Sequence, residues 1–205
     1  MMNYQAQAYY NADVFDEYEE YSEKKQLLEE LINRFINAGI KCTLTCSSNL
    51  FFRGIVDIFN DYDILISKDS VPAFKQVMED LQAKSLPQGD QSAFNSTWFA
   101  RYEVGNVGID VISEWRIVTF GTTVLFEYTQ EEIDIEQGLP LIAMERQFLL
   151  YAMMEGWQPQ RQYKRILCEN YLKYCLRYPG IIKDAVSDPA MPIPIKKRCR
   201  MLLKM

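Results

Sequence analysis

The chain contains no histidine, and that single omission closes off a large share of protein chemistry. It removes the usual general base near neutral pH, the Ser-His and Cys-His nucleophile pairs, and the histidine-bearing zinc sites, HExxH proteases included. Catalysis, if there is any, has to run on carboxylates, lysine, tyrosine, serine, cysteine or a metal. Long apolar runs are missing too, so nothing here reaches the length needed to cross a bilayer. The start, Met1-Met2-Asn3-Tyr4-Gln5, soon turns acidic and lacks the basic beginning and apolar centre of a secretory signal. A cytoplasmic location without membrane partners is expected. There is no CxxC pair: the five cysteines, Cys42, Cys46, Cys168, Cys175 and Cys199, are odd in number and widely spread, which favours buried reduced thiols over metal ligands or disulfides. Positive charge is in deficit, with a net charge of −6. That argues against broad, sequence-independent nucleic-acid binding, although a local basic patch is still able to hold phosphates.

What is present suits a globular chain. Its 205 residues, 48% hydrophobic and 24% charged, are enough for one core, or for one domain with a smaller helical appendage. Residues 1–21 carry no sustained period and read as a loosely held arm. Ser22 reads as an N-cap for a helix with Leu27, Leu28, Leu31, Ile32, Phe35 and Ile36 on one face and Gly39 as its stop. Residues 40–45 read as a strand, Cys46-Ser47-Ser48 as a tight turn, 49–58 as a short helix and 61–67 as a strand. A helix capped by Ser70 with Pro72 in its first turn follows, then a polar loop over 85–95. Strands at 97–104 and 107–113 flank Gly105-Asn106, a hairpin signal. Runs at 116–120 and 123–128 extend the sheet. From Leu141 onward the periods are helical, no further strand is expected, and the tail from Ile195 is basic and helical. This order fits an α+β domain over 22–138, a mixed sheet with flanking helices, followed by a helical C-terminal region over 139–205.

The most telling feature is Asp61-Tyr62-Asp63-Ile64-Leu65-Ile66, followed later by Val107-Gly108-Ile109-Asp110-Val111-Ile112. Alternation along a strand points Asp61 and Asp63 one way and Tyr62 the other. An aspartate such as Asp110 inside an apolar run costs stability unless something pairs with it. Carboxylates gathered on one sheet face repel one another unless a cation neutralises them, and ligands of oxygen alone suit Mg²⁺ held together with substrate phosphates. Taken by itself, an Asp-x-Asp pair more often marks a solvated strand edge.

The stretch from Cys46 to Ile66 resembles the nucleotidyltransferase superfamily with the DNA polymerase β-like fold, in particular the small bacterial branch of aminoglycoside nucleotidyltransferases and abortive-infection toxins. In that family a turn and short helix lead to a strand carrying Asp-x-Asp with a hydrophobic tail, and a third carboxylate lies on a later strand. Asp61, Asp63 and Asp110 occupy those places, and Leu139-Pro140-Leu141-Ile142-Ala143-Met144-Glu145 is similar to the family's passage into its C-terminal helices. The turn, Cys46-Ser47-Ser48, has neither of the family's glycines, and Asp57 and Phe59 replace an arginine and a threonine.

The resemblance implies that Asp61 and Asp63 hold two Mg²⁺ ions while Asp110 completes the catalytic metal site and helps activate an acceptor hydroxyl. A nucleoside monophosphate would pass from an NTP to that hydroxyl, on a small molecule, an RNA end or a protein. Ser47 and Ser48 are candidates for the β- and γ-phosphates, with a plain helix cap as the equal alternative. Arg53 is a candidate to neutralise phosphate, against an exposed structural arginine. Lys164 and Arg165, with Arg161 nearby, are candidates to reach across the cleft, against a solvated basic face. The tryptophans at 98, 115 and 157 read more readily as core, and Lys196, Lys197, Arg198 and Arg200 as a solvated face. Two further readings stay open: a nucleotidyltransferase-fold binding or regulatory protein with weakened catalysis, and an unrelated α+β interaction domain.

Overall fold

A computed structural model describes residues 12–88, 96–105 and 107–204, with side chains from Ser22 onward. Residues 1–11 of the expected arm, Asn106 of the hairpin turn and 89–95 of the polar loop lie outside the described residues. The helices are α1 (Ala12–Asn37), α2 (Cys46–Phe52), α3 (Val71–Asp80), α4 (Met144–Glu155), α5 (Gln162–Leu172), α6 (Pro179–Ser187) and α7 (Ile193–Leu202). The strands are β1 (Cys42–Thr45), β2 (Asp61–Ile66), β3 (Lys84–Leu86), β4 (Trp98–Val104), β5 (Val107–Ser113), β6 (Arg116–Thr119), β7 (Thr122–Leu125), β8 (Ile133–Glu136) and β9 (Leu139–Ile142).

Seven strands form one mixed sheet in the order β3-β4-β5-β2-β1-β9-β8. Strand β2 runs antiparallel to β1 and parallel to β5, and β4 closes back antiparallel on β5. Alternation along β2 and β5 sends Tyr62, Ile64, Ile66, Val107, Ile109 and Val111 to one face, where they pack against α1 and α3 through Leu28, Leu31, Phe35, Phe74 and Met78. The other face, with Leu65 and Ile112, meets the C-terminal helices through Phe148, Leu149 and Tyr151. The chain is thus a three-layer α+β structure with a separate core on each side of the sheet.

Helix α1 starts well before Ser22, so the expected N-cap is an ordinary helical residue, and within the stretch expected to be an arm residues 12–21 are helical. Its end is as expected: Gly39, at φ 72, lets its own N–H reach Ile36 O (2.9 Å) and the Ile40 N–H reach Phe35 O (2.9 Å), a Schellman close. Helix α2 begins directly at Cys46, without an intervening turn.

Three expectations about strands are corrected. β6 and β7 do not extend the sheet; they form their own hairpin around Phe120 (φ 44) and Gly121 (φ 78). It leans on α4, where the Thr119 hydroxyl donates to the Met153 carbonyl at 2.6 Å. β3 forms inside the stretch expected to be loop, pairing with β4. β8 and β9, also unexpected, join through Gln137 and Gly138, both at positive φ, and β9 lies parallel to β1. Because β9 belongs to the sheet, the boundary expected at 138/139 cuts through it, and the helical region begins at Met144 instead.

Candidate active site

The geometry of the site starts from Tyr62. Its side chain is fully buried among α1 and α3, and its hydroxyl donates to the Lys24 carbonyl of α1 at 2.7 Å. Burial of a side chain this size stabilises by about 2 to 3 kcal/mol, so the face that β2 turns toward α1 is fixed. Its neighbours Asp61 and Asp63 are therefore held on the opposite face. There they open into a cavity of about 290 Å³ that Asp110 also lines.

One row of directly paired residues crosses the sheet at this point. Thr45 of β1 stands opposite Asp63 of β2, Asp63 opposite Asp110 of β5, and Asp110 opposite Arg101 of β4. Cross-strand partners share a face, so the side chains of the row point the same way. Arg101 Nε donates to Asp110 Oδ1 at 2.8 Å. Asp61, two residues along β2 from Asp63, is paired with Gly108, which has no side chain to crowd it.

The electrostatics follow from this crowding. Burial pushes the Asp63 carboxyl well above the usual carboxylate range, and the charges of Asp61 and Asp110 push it the same way, against the pull of Arg161 and Lys164. Asp61 is raised for the same reasons, burial first and Asp110 second. Arg161, just before α5, and Lys164, on its first turn, line the cavity with the acids. Lys164 Nζ also lies 5.7 Å from the ring centre of the buried Tyr151. The cavity therefore pairs an acidic floor from the sheet with a basic wall from the helical layer.

Ser47 lines the cavity, and Ser48 is not among its lining residues. Its hydroxyl is fully buried and donates to the Thr45 carbonyl at 2.8 Å, bracing the start of α2. Arg53 is likewise placed elsewhere: its guanidinium, 1% exposed, is bound to Asp134, Glu136 and the Ile142 carbonyl. It clamps α2 to the β8–β9 hairpin instead of facing a phosphate. Arg165 is buried in ion pairs with Glu155 and Glu169, leaving Arg161 and Lys164 as the cavity's cations from that segment. Trp98 packs edge-on against Phe74 in the core. Trp115 packs against Phe126 and also reaches the cavity wall with Phe99.

Two site-shaping residues were not anticipated. Arg101 is one. The other is Gln147 of α4, whose Oε1 accepts both the Cys46 N–H and the Thr45 hydroxyl at 3.0 Å each. It pins the β1–α2 junction, where Cys46 stands at φ 54, a left-handed conformation costly for a residue with a side chain.

Among the described residues no three acidic or thiol side chains stand close enough, as placed, to enclose an ion. The donor set itself fits a hard divalent cation: oxygens only, several negative charges, and a cavity that admits a further group.

No family model matches the sequence, and no curated protein matches it. In three dimensions the chain is similar to a protein of Thermotoga maritima described provisionally as a nucleotidyltransferase, at 14% identity and a TM-score of 0.56, over 71% of this chain and 93% of that one. It is also similar to ANT(2″)-Ia, solved in complex with adenylyl-2″-tobramycin, at 10% identity and a TM-score of 0.55, over 87% of this chain and 98% of that one. At these identities the likeness is one of fold.

Proposed function

We propose that this chain, which has the nucleotidyltransferase fold, transfers a nucleoside monophosphate from an NTP to a hydroxyl acceptor. The observation that carries the reading is the convergence of Asp61, Asp63 and Asp110, from two parallel strands, on one cavity walled by Arg161 and Lys164. In this reaction an acceptor oxygen attacks the α-phosphorus, the bond from that phosphorus to the bridging oxygen breaks, and pyrophosphate leaves. Asp110 takes part of the load of the acceptor's proton. Lys164 and Arg161 offset the charge of the triphosphate, and the Ser47 hydroxyl offers it a hydrogen bond.

Asp61, Asp63 and Asp110 are the residues that would hold Mg²⁺, two ions in the full form of the proposal. When bound, the metal supplies the positive charge that stabilises the attacking and leaving oxygens. The acceptor belongs to a small molecule, an RNA end or a protein. The five free thiols, four of them buried, accord with work in the reducing cytoplasm.

A second reading keeps the fold and the binding but not efficient turnover. It is favoured by Cys46, whose left-handed backbone and cavity-lining side chain narrow the approach beside Ser47. One experiment separates the two. Thermal unfolding with Mg²⁺ or Mn²⁺ and each NTP should show stabilisation that needs both metal and nucleotide and disappears in Asp63→Ala, and a coupled assay should show pyrophosphate release with a panel of hydroxyl acceptors. Stabilisation without pyrophosphate supports the regulator; neither response removes both readings.

A further inference from the structure

We propose that Arg101 is the built-in counter-ion of Asp110, holding this carboxylate while no divalent cation is bound and yielding it when one arrives. The inference rests on the transferase reading above, since it concerns how the same acidic site takes its metal. It assigns a positioning role to a residue outside the carboxylate trio, on a strand of its own.

Two observations converge on it. Arg101 and Asp110 are direct partners in the β4–β5 ladder, and Nε donates to Oδ1 at 2.8 Å. Asp63 is the partner of Asp110 on its other side, so Asp110 is flanked in one row by an anion and a cation and is bonded to the cation.

The chemistry favours such a role. Clustered carboxylates in a partly dry cavity need positive charge nearby, and guanidinium supplies it with weak hydration and directional donors. The Asp110 side chain is 18% exposed and that of Arg101 36%, so the arginine has solvent to move into and the aspartate has little. A cation that takes Asp110 Oδ1 must displace one charge-assisted hydrogen bond, which weakens its binding. A nucleotide that brings its own phosphate oxygens as additional ligands offsets that loss. Metal binding is thereby tied to nucleotide binding.

The test is Mn²⁺ binding to the full chain, followed by the EPR signal of the free ion, for the wild type, Arg101→Gln, Arg101→Met, Arg101→Lys and Asp63→Asn, each with folding checked by circular dichroism. Both neutral variants should bind Mn²⁺ roughly three- to tenfold tighter than the wild type. Arg101→Lys, which keeps the charge but loses the Nε donor, should fall between them, and it reads the effect alone should the neutral variants fail to fold. Asp63→Asn should lose binding. The counter-ion role is overturned, with the transferase reading intact, if the folded Arg101 variants bind no tighter than the wild type while Asp63→Asn has lost the ion. If Asp63→Asn binds as the wild type does, or no form binds, the metal-dependent reading itself fails and the counter-ion role falls with it.

Discussion

Asp63 lies directly opposite Asp110 across the parallel β2–β5 ladder, on the sheet face that opens into the cavity. The Asp61 and Asp110 charges beside it raise the resistance of Asp63 to ionisation, and burial adds the larger share. A carboxyl whose folded value is raised favours the folded state while it is neutral. That contribution is complete below the ordinary carboxylate value and is lost as pH rises through the raised one. In EDTA the wild type should therefore fall behind Asp63→Asn in stability as pH climbs from about 4 toward neutrality. At neutral pH the variant should melt a few degrees higher, and the two should converge in acid. Thermal unfolding across that range checks it; a variant that melts lower at every pH would refute the site's electrostatic account.

Much of this row was open to sequence reasoning. Alternation alone aims Asp61 and Asp63 together and away from Tyr62, as found. A hairpin turning at Gly105-Asn106 pairs Val104 with Val107, and counting back along both strands pairs Arg101 with Asp110, so Arg101 was legible but not read. Other features were hidden for physical reasons. Ile133-Asp134-Ile135-Glu136 alternates as a strand should, but the next run carries Pro140, which lacks the N–H that a paired strand uses. Arg53 looks like any surface arginine until the fold brings Asp134 and Glu136, 81 and 83 residues away, onto it. Long-range ion pairs leave no local pattern.

That clamp gives a prediction about stability. Arg53 is 1% exposed and Asp134 7%, so removing the cation leaves a buried carboxylate held by the half-exposed Arg177 and the Tyr178 hydroxyl. Arg53→Met should cost about 3 to 5 kcal/mol in urea unfolding, and nucleotide affinity of the folded fraction should change little. A large loss of nucleotide affinity with unchanged stability would instead return Arg53 to the phosphate role.

Cysteine chemistry offers a simple check on the cores. Cys42, Cys46, Cys168 and Cys199 are buried and Cys175 is partly open, and burial pushes the Cys42 and Cys199 thiols up to about 12. A thiol reagent at pH 8 should modify Cys175 quickly, and the other four only after denaturant is added. Rapid reaction at Cys46 would mean that the reagent reaches it through the cavity it lines or that the β1–α2 junction opens.

Gln147 supplies the next test. Its Oε1 holds the Cys46 N–H and the Thr45 hydroxyl, so Gln147→Leu leaves two buried donors without an acceptor and should cost about 2 to 3 kcal/mol. Cys46→Gly acts on the same junction in the opposite sense. It relieves the left-handed backbone, worth about 1 kcal/mol, and removes the side chain from the cavity. If that side chain is what limits turnover, Cys46→Gly should raise pyrophosphate release without lowering the melting temperature by more than a few degrees.

Lys164 separates phosphate grip from metal grip. It shares the cavity with Arg161 and the carboxylates, and its charge favours the ionised form of Asp63 against burial and the neighbouring acids. Lys164→Met keeps the stem that packs near Tyr151 and removes only the charge, so stability should fall by no more than about 1 kcal/mol, the scale of its lost cation–π contact. Mn²⁺ binding in the absence of nucleotide should hold or tighten, because Asp63 and Asp61 lose a competing cation. NTP affinity, read by calorimetry with a non-hydrolysable analogue, should drop roughly tenfold or more, the worth of one charge-assisted bond to phosphate. If NTP affinity is unchanged, Lys164 belongs to the solvated face of α5, and the basic wall of the site rests on Arg161.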